Sequence, residues 1–125
     1  MKKLICILAA AAFAGTAVLV LRAQDPVKVD KKHYKVEFEN DQVRVLRIHY
    51  GPGEKSVMHE HPDGVAVFLT DQKSKFTYPD GKSEEVSAKA GDVKWLSAFK
   101  HDPESLSDKP FELILVELKG KAEKK

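Results

Sequence analysis

The chain has 125 residues, with 21 Lys and Arg against 19 Asp and Glu, a formal charge of +2 and a single cysteine. Lys2, Lys3, Arg22 and Cys6 all fall in the first 23 residues, so the remainder carries a net charge of −1 and no thiol. A near-neutral domain without a Lys/Arg stripe interleaved with aromatics excludes nucleic acid as a partner, and the missing thiols exclude disulfides and thiolate metal sites.

Lys2 and Lys3 precede Leu4 to Leu21, an uncharged run of 18 residues, and Leu21-Arg22-Ala23 forms an imperfect cleavage site before Gln24. This pattern predicts an export signal over residues 1–23, with an apolar N-terminal helix and a periplasmic or secreted product. The run lies at the lower edge of what spans a bilayer, so an uncleaved anchor over residues 4–21 is the alternative, and only then is a membrane a partner. Cys6, between Ile5 and Ile7, lacks the context of a lipid-attachment site.

Residues 24–32 are polar, contain Pro26 and show no period, which reads as a linker. Tyr34, Val36 and Phe38 alternate with Lys35, Glu37 and Glu39, the period of a half-buried strand, and Asn40-Asp41 turns the chain. Val43 and Val45 sit on one phase and Leu46, Ile48 and Tyr50 on the other, predicting a strand with a bulge or with two buried faces. Gly51-Pro52-Gly53 ends it. Ser56 to His61 reads as extended and is closed by Pro62-Asp63-Gly64. Val65 to Thr70 is a continuous apolar run, as in a central strand, and Asp71 to Ser74 reads as a turn. Lys75 to Tyr78 and Ser83 to Ser87 flank Pro79-Asp80-Gly81, a hairpin turn by its preset and free φ angles. Gly91-Asp92 opens a strand at Val93 to Leu96. Phe111 to Leu118 is apolar on both phases until Glu117, as in a strand deep in the fold. Residues 120–125 form a charged tail with nothing to bury.

Seven or eight short strands with frequent turn signals and no 3.6-residue period after the signal indicate one all-β sandwich or barrel over residues 33–119. About 100 residues build one core and one principal pocket.

His59 and His61 are separated by one residue in an extended segment, which puts both imidazoles on one face about 7 Å apart, close enough to converge on one ion. Glu60 then points away. Gly53 lies six positions before His59, a turn follows His61, and Gly91-Asp92 opens a later strand that leads to His101. His33 and His49 lack such context and read as ordinary strand residues.

This constellation resembles the cupin superfamily. The family's first motif is Gly, five residues, His-x-His, three or four residues, Glu, and Gly53 to His61 fits it up to the glutamate. Its slot falls on Val65 or Ala66. From the second motif this chain keeps Gly91 and His101. Ser97 stands for the usual Pro, Phe99 for Gly and Ser105 for Asn, and His101 comes one residue early. The resemblance implies a small double-stranded β-helix (jelly-roll) barrel with His59, His61 and His101 as ligands of a divalent transition metal. An all-imidazole set suits Zn, Fe, Ni or Cu. Without the motif carboxylate, the ion's charge would favour hydroxide or a small anionic ligand.

Glu104, three residues after His101, is the candidate partner behind a ligand or general base. Met58, Phe68, Trp95 and Phe99 are candidate pocket-lining residues. Gly51 to Ser56 lacks the spacing and following helix of a phosphate loop. No GxSxG elbow, cysteine nucleophile or HExxH helix is present, so hydrolases that need them lack support. The expectation is an exported three-histidine cupin that binds a small molecule, with metal-dependent oxygenase or isomerase chemistry if it is an enzyme. A metal-free binding module and a structural domain that forms a homodimer are the alternatives.

Overall fold

In the computed structural model, residues 24–120 are described; the expected signal or anchor over residues 1–23 and the tail after Gly120 lie outside them. Among the described residues, no helix is long and apolar enough to cross a membrane. One helical turn, α1 (Pro26–Val29), precedes nine strands: β1 (Tyr34–Glu39), β2 (Val43–Tyr50), β3 (His59–His61), β4 (Gly64–Phe68), β5 (Gln72–Thr77), β6 (Ser83–Ala88), β7 (Val93–Leu96), β8 (Phe99–Ser105) and β9 (Phe111–Leu118).

The strands form two sheets of order β1-β2-β9-β4-β7 and β3-β8-β5-β6, with antiparallel pairing throughout. Alternation along each strand decides what faces the space between them. Leu46, Ile48 and Tyr50 of β2, Phe111, Leu113 and Leu115 of β9, and Ala66 and Phe68 of β4 make the buried core of the larger sheet. Gly64 sits where β4 meets β9: a Cβ there would stand 2.6 Å from the Val116 carbonyl oxygen, so this close approach requires glycine. Gly81, at φ +89°, makes the turn between β5 and β6.

Three local readings differ from the sequence expectation. The bulge falls in β1, where the register shifts between Val36, opposite Leu46, and Phe38, opposite Val45, so Phe38 is carried outward and is 54% exposed. β5 starts at Gln72, inside the expected turn. β8 was not visible as a strand, because Pro103 interrupts a polar stretch; Pro103 nevertheless pairs with Phe76 in register.

The two apolar phases of β9 also have a physical explanation. Phe38, Val45, Val116, Val65 and Trp95 lie opposite one another in a row across all five strands. They occupy the phase opposite the core, so the second apolar face of β9 belongs to the outer surface of the sheet.

Candidate metal centre

β3 and β8 pair so that His59 lies opposite His101, with His61 one inward position along from His59. All three are buried, and one nitrogen from each lies within 4.8 Å of those of the others. The ring centroids are 4.8 Å apart for His59 and His101, 4.9 Å for His59 and His61, and 5.3 Å for His61 and His101. Glu60, between the first two, pairs with Lys100 in the alternate phase.

Hydrogen bonds orient two of the rings. His59 Nδ1–H donates to the Val57 carbonyl at 2.8 Å, which leaves Nε2 as a lone-pair donor. His61 Nδ1–H donates to Glu117 Oε2 at 2.8 Å. His59 Nε2 and both nitrogens of His101 are buried without a hydrogen-bond partner among the described residues. Burial, reinforced by the charge that His61 would carry, pushes His59 down to about 4. Burial and then the other two imidazoles push His101 down to about 2. Both rings are therefore neutral at pH 7, the state in which imidazole coordinates a metal.

The structure places the remaining candidates unequally. Phe68 and Phe99 line a cavity of about 180 Å³ whose wall also includes His61 and His101. Phe76, Phe111, Leu113 and Leu115 supply more of its wall, with Lys94 and Gln72 as polar members. Lys94 Nζ donates to the Ser87 carbonyl at 2.9 Å, and Gln72 Oε1 is buried with no hydrogen-bond partner among the described residues. Met58 is half-buried and does not line the cavity. Trp95 is 55% exposed and belongs to the outer row, because its phase on β7 is opposite to that of Lys94 and the core.

Glu104 is also misplaced by the sequence reading. Three positions from His101 on a strand, it points to the other side of β8, where its nearest cation is Lys75 at 3.8 Å. The carboxylate behind the histidines is Glu117, which is 2% exposed. Its Oε1 accepts from Arg44 Nε at 3.0 Å, and Arg44 forks onto Asp25 at 3.0 and 3.1 Å. One signal pointed to it: Glu117 shares the inward phase of Phe111, Leu113 and Leu115. His33, read as an ordinary strand residue, lies buried in the turn before β1, with Nδ1 on Asp30 at 2.8 Å and Nε2 on Glu54 at 2.9 Å. His49 is exposed.

Solved structures match this arrangement of strands. A cupin domain from Bordetella pertussis superposes with a TM-score of 0.64 at 25% identity, over 70% of this chain and 92% of that one. The chain has the cupin fold. A double-stranded β-helix protein from Klebsiella pneumoniae aligns with a TM-score of 0.53 at 21% identity, over 66% and 72% of the two chains. A cupin superfamily protein from Desulfitobacterium hafniense aligns with a TM-score of 0.51 at 16% identity, over 68% and 74%. No family model and no curated protein matches the chain.

Within the cupin barrel, the slot of the motif glutamate is now resolved by phase. Ala66 points inward and is fully buried, whereas Val65 lies in the outer row. A methyl group stands where the family motif has a carboxylate. Glu117, opposite Gly64 on the neighbouring strand, puts its carboxylate behind the His61 ring.

The donor set fits a transition-metal ion. A buried imidazole nitrogen without a partner is costly; an ion would take up His59 Nε2 and one nitrogen of His101, while the second His101 nitrogen keeps the ring proton. One nitrogen from each ring lies within 4.8 Å of the others, so His59, His61 and His101 are the residues that would hold such an ion.

Proposed function

We propose that this protein is an exported cupin that holds one divalent transition-metal ion on His59, His61 and His101 and binds a small anionic molecule with an apolar body in the adjoining cavity. The observation that carries the reading is the set of orphaned nitrogens on His59 and His101, buried and facing one another across β3 and β8. Export rests on the signal pattern of residues 1–23.

When bound, such an ion supplies Lewis-acid polarisation at the coordination positions that three protein ligands leave open. The chain's own groups do the rest. His59 and His61 present Nε2 because their Nδ1 protons are held by Val57 and Glu117. Two neutral rings, His59 and His101, leave a cationic ion short of charge, which favours an anionic partner over a neutral one. The phenylalanine-rich wall excludes water and accepts an apolar body. Lys94, with no carboxylate partner among the described residues, faces the same space.

Metal content decides the reading. Protein starting at Gln24, reconstituted with Zn, Fe, Ni or Cu and measured by elemental mass spectrometry, is expected to hold one equivalent per chain. A His59→Ala/His61→Ala variant is expected to hold none. Equal, substoichiometric metal in both proteins overturns the proposal.

A further inference from the structure

We propose that the segment from Gln24 to His33 is a working part of the histidine centre, a clamp whose two aspartates orient His61 and His59 from behind. The inference rests on the metal reading above for its purpose, though the hydrogen bonds that define it do not require a metal.

The segment was expected to be a tether, but it is packed. Asp25 caps α1, accepting from Val27 N–H at 3.0 Å, and Pro26 at the start of the helix is buried. The Gln24 carbonyl accepts from Glu60 N–H at 2.9 Å, so the chain is tied to the free edge of β3 between the two ligand histidines.

Two chains of polar contacts then run from this segment to the rings. In the first, Asp25 holds the Arg44 guanidinium, Arg44 holds Glu117, and Glu117 accepts from His61 Nδ1–H. The side chains of Arg44 and Glu117 are 18% and 3% exposed, so water competes little for these contacts. In the second, Asp30 accepts from Ser56 Oγ–H, and Ser56 Oγ lies 3.4 Å from His59 Nδ1. Asp30 is itself fixed by His33, whose other nitrogen reaches Glu54 and whose ring stacks on Tyr50 at 4.0 Å. The first chain is the stronger, since each of its links is a charge-assisted contact.

A carboxylate on the far nitrogen of a ligand histidine fixes the tautomer, orients the ring and raises its basicity, and removing such a partner typically costs 10–100-fold in metal affinity. Glu117 does this for His61. Arg44 alone would draw the Glu117 charge away from His61; Asp25 takes up part of the guanidinium and returns that charge to the ring. The hydrogen bond from Arg44 holds the Asp25 carboxyl below its usual range, so it is ionised wherever the site is neutral. Asp25 is the second residue after the expected cleavage point, so processing two residues further along removes the Asp25–Arg44 link and leaves Arg44 to draw on Glu117 alone.

The experiment uses protein starting at Gln24 with the variants Glu117→Gln, Asp25→Asn, Asp30→Asn and, on the other side of β8, Glu104→Gln. Zn(II) affinity is measured by competition titration, and ¹⁵N imidazole NMR of the metal-free proteins reports the His61 and His59 tautomers. Glu117→Gln is expected to weaken Zn(II) binding about 10–100-fold and Asp25→Asn at least threefold. Both should shift the His61 ring nitrogens, Asp30→Asn those of His59, and Glu104→Gln neither. Affinities within twofold of the parent for Glu117→Gln and Asp25→Asn, or unshifted ring nitrogens, overturn the proposal. A parent protein that takes up no metal defeats the metal reading instead, while the ring spectra still decide whether the clamp exists.

Discussion

Glu117 Oε2 stands 2.8 Å from His61 Nδ1, on the far side of the ring from His59 and His101. A buried carboxylate in that position has two jobs, to neutralise Arg44 and to accept the imidazole proton. Glu117→Ala removes both and leaves the mostly buried guanidinium with Asp25 as its remaining carboxylate, so the metal-free protein is expected to lose about 3 kcal/mol, the low end for breaking a buried pair. Glu117→Gln keeps an acceptor for His61 and should lose less, about 1–3 kcal/mol. Urea denaturation checks the order; equal midpoints for parent and Glu117→Ala would show that the pair adds nothing to folding.

Acid should destabilise the metal-free barrel well before its carboxylates titrate. The folded-state values of His59 and His101, about 4 and about 2, lie below the ordinary 6.5. The unfolded chain therefore takes up protons first, and stability falls as pH drops through 6.5. The loss continues to about 4 for His59 and to about 2 for His101. At pH 5 the two together remove on the order of 4 kcal/mol relative to neutral pH. Urea midpoints at pH 7.5 and pH 5 measure it, and a flat profile would mean that these imidazoles are solvated or already charged in the folded state.

The barrel was legible because its signals are local. Alternation in β1 and β2, the Pro79-Asp80-Gly81 turn and the same-face spacing of His59 and His61 depend only on neighbours in sequence. What remained hidden depends on pairing between distant strands. The row from Phe38 to Trp95 exists only once five strands are in register, so Trp95 could be taken for a pocket residue. Arg44 and Glu117 lie opposite each other on β2 and β9, and their charges read as surface until that register is known. Glu104 illustrates the opposite error: nearness in sequence to His101 was given weight, although an odd offset on a strand turns a side chain away. The N-terminal segment has no period at all, since one helical turn around the buried Pro26 is too short for one and hydrogen bonds of Gln24, Asp25 and Asp30 hold the rest.

Gly64 should be the least tolerant glycine of the barrel. Its missing Cβ would sit 2.6 Å from a backbone oxygen of β9, and backbone cannot swing aside as a long side chain can. Gly64→Ala is expected to cost about 3 kcal/mol, at the upper end of ordinary overpacking, and to push β4 away from Glu117. Gly53, at φ +69° with open space around it, should cost only about 1–2 kcal/mol on the same change, from backbone conformation alone. Chemical denaturation of the two variants tests the ranking, and a reversal would show that β4 and β9 separate freely.

Restoring the carboxylate at Ala66 tests how the family's missing ligand was replaced. The position faces inward and is fully buried, so in Ala66→Glu a new carboxylate enters a space walled by apolar groups. Without metal its neighbours are neutral imidazoles, which answer its charge only by hydrogen bonding or by taking up a proton, and the variant is expected to lose about 1–3 kcal/mol. With metal the same carboxylate meets the charge that three imidazoles leave unbalanced, and Zn(II) affinity should rise at least tenfold, equivalent to about 1.4 kcal/mol. Opposite signs for the two effects are the diagnostic, because a merely disruptive substitution weakens both folding and binding. Urea midpoints and competition titrations on one preparation supply both numbers. A variant that loses stability and gains no affinity would place residue 66 out of reach of the histidines and leave Glu117 as the carboxylate in direct contact with one of them.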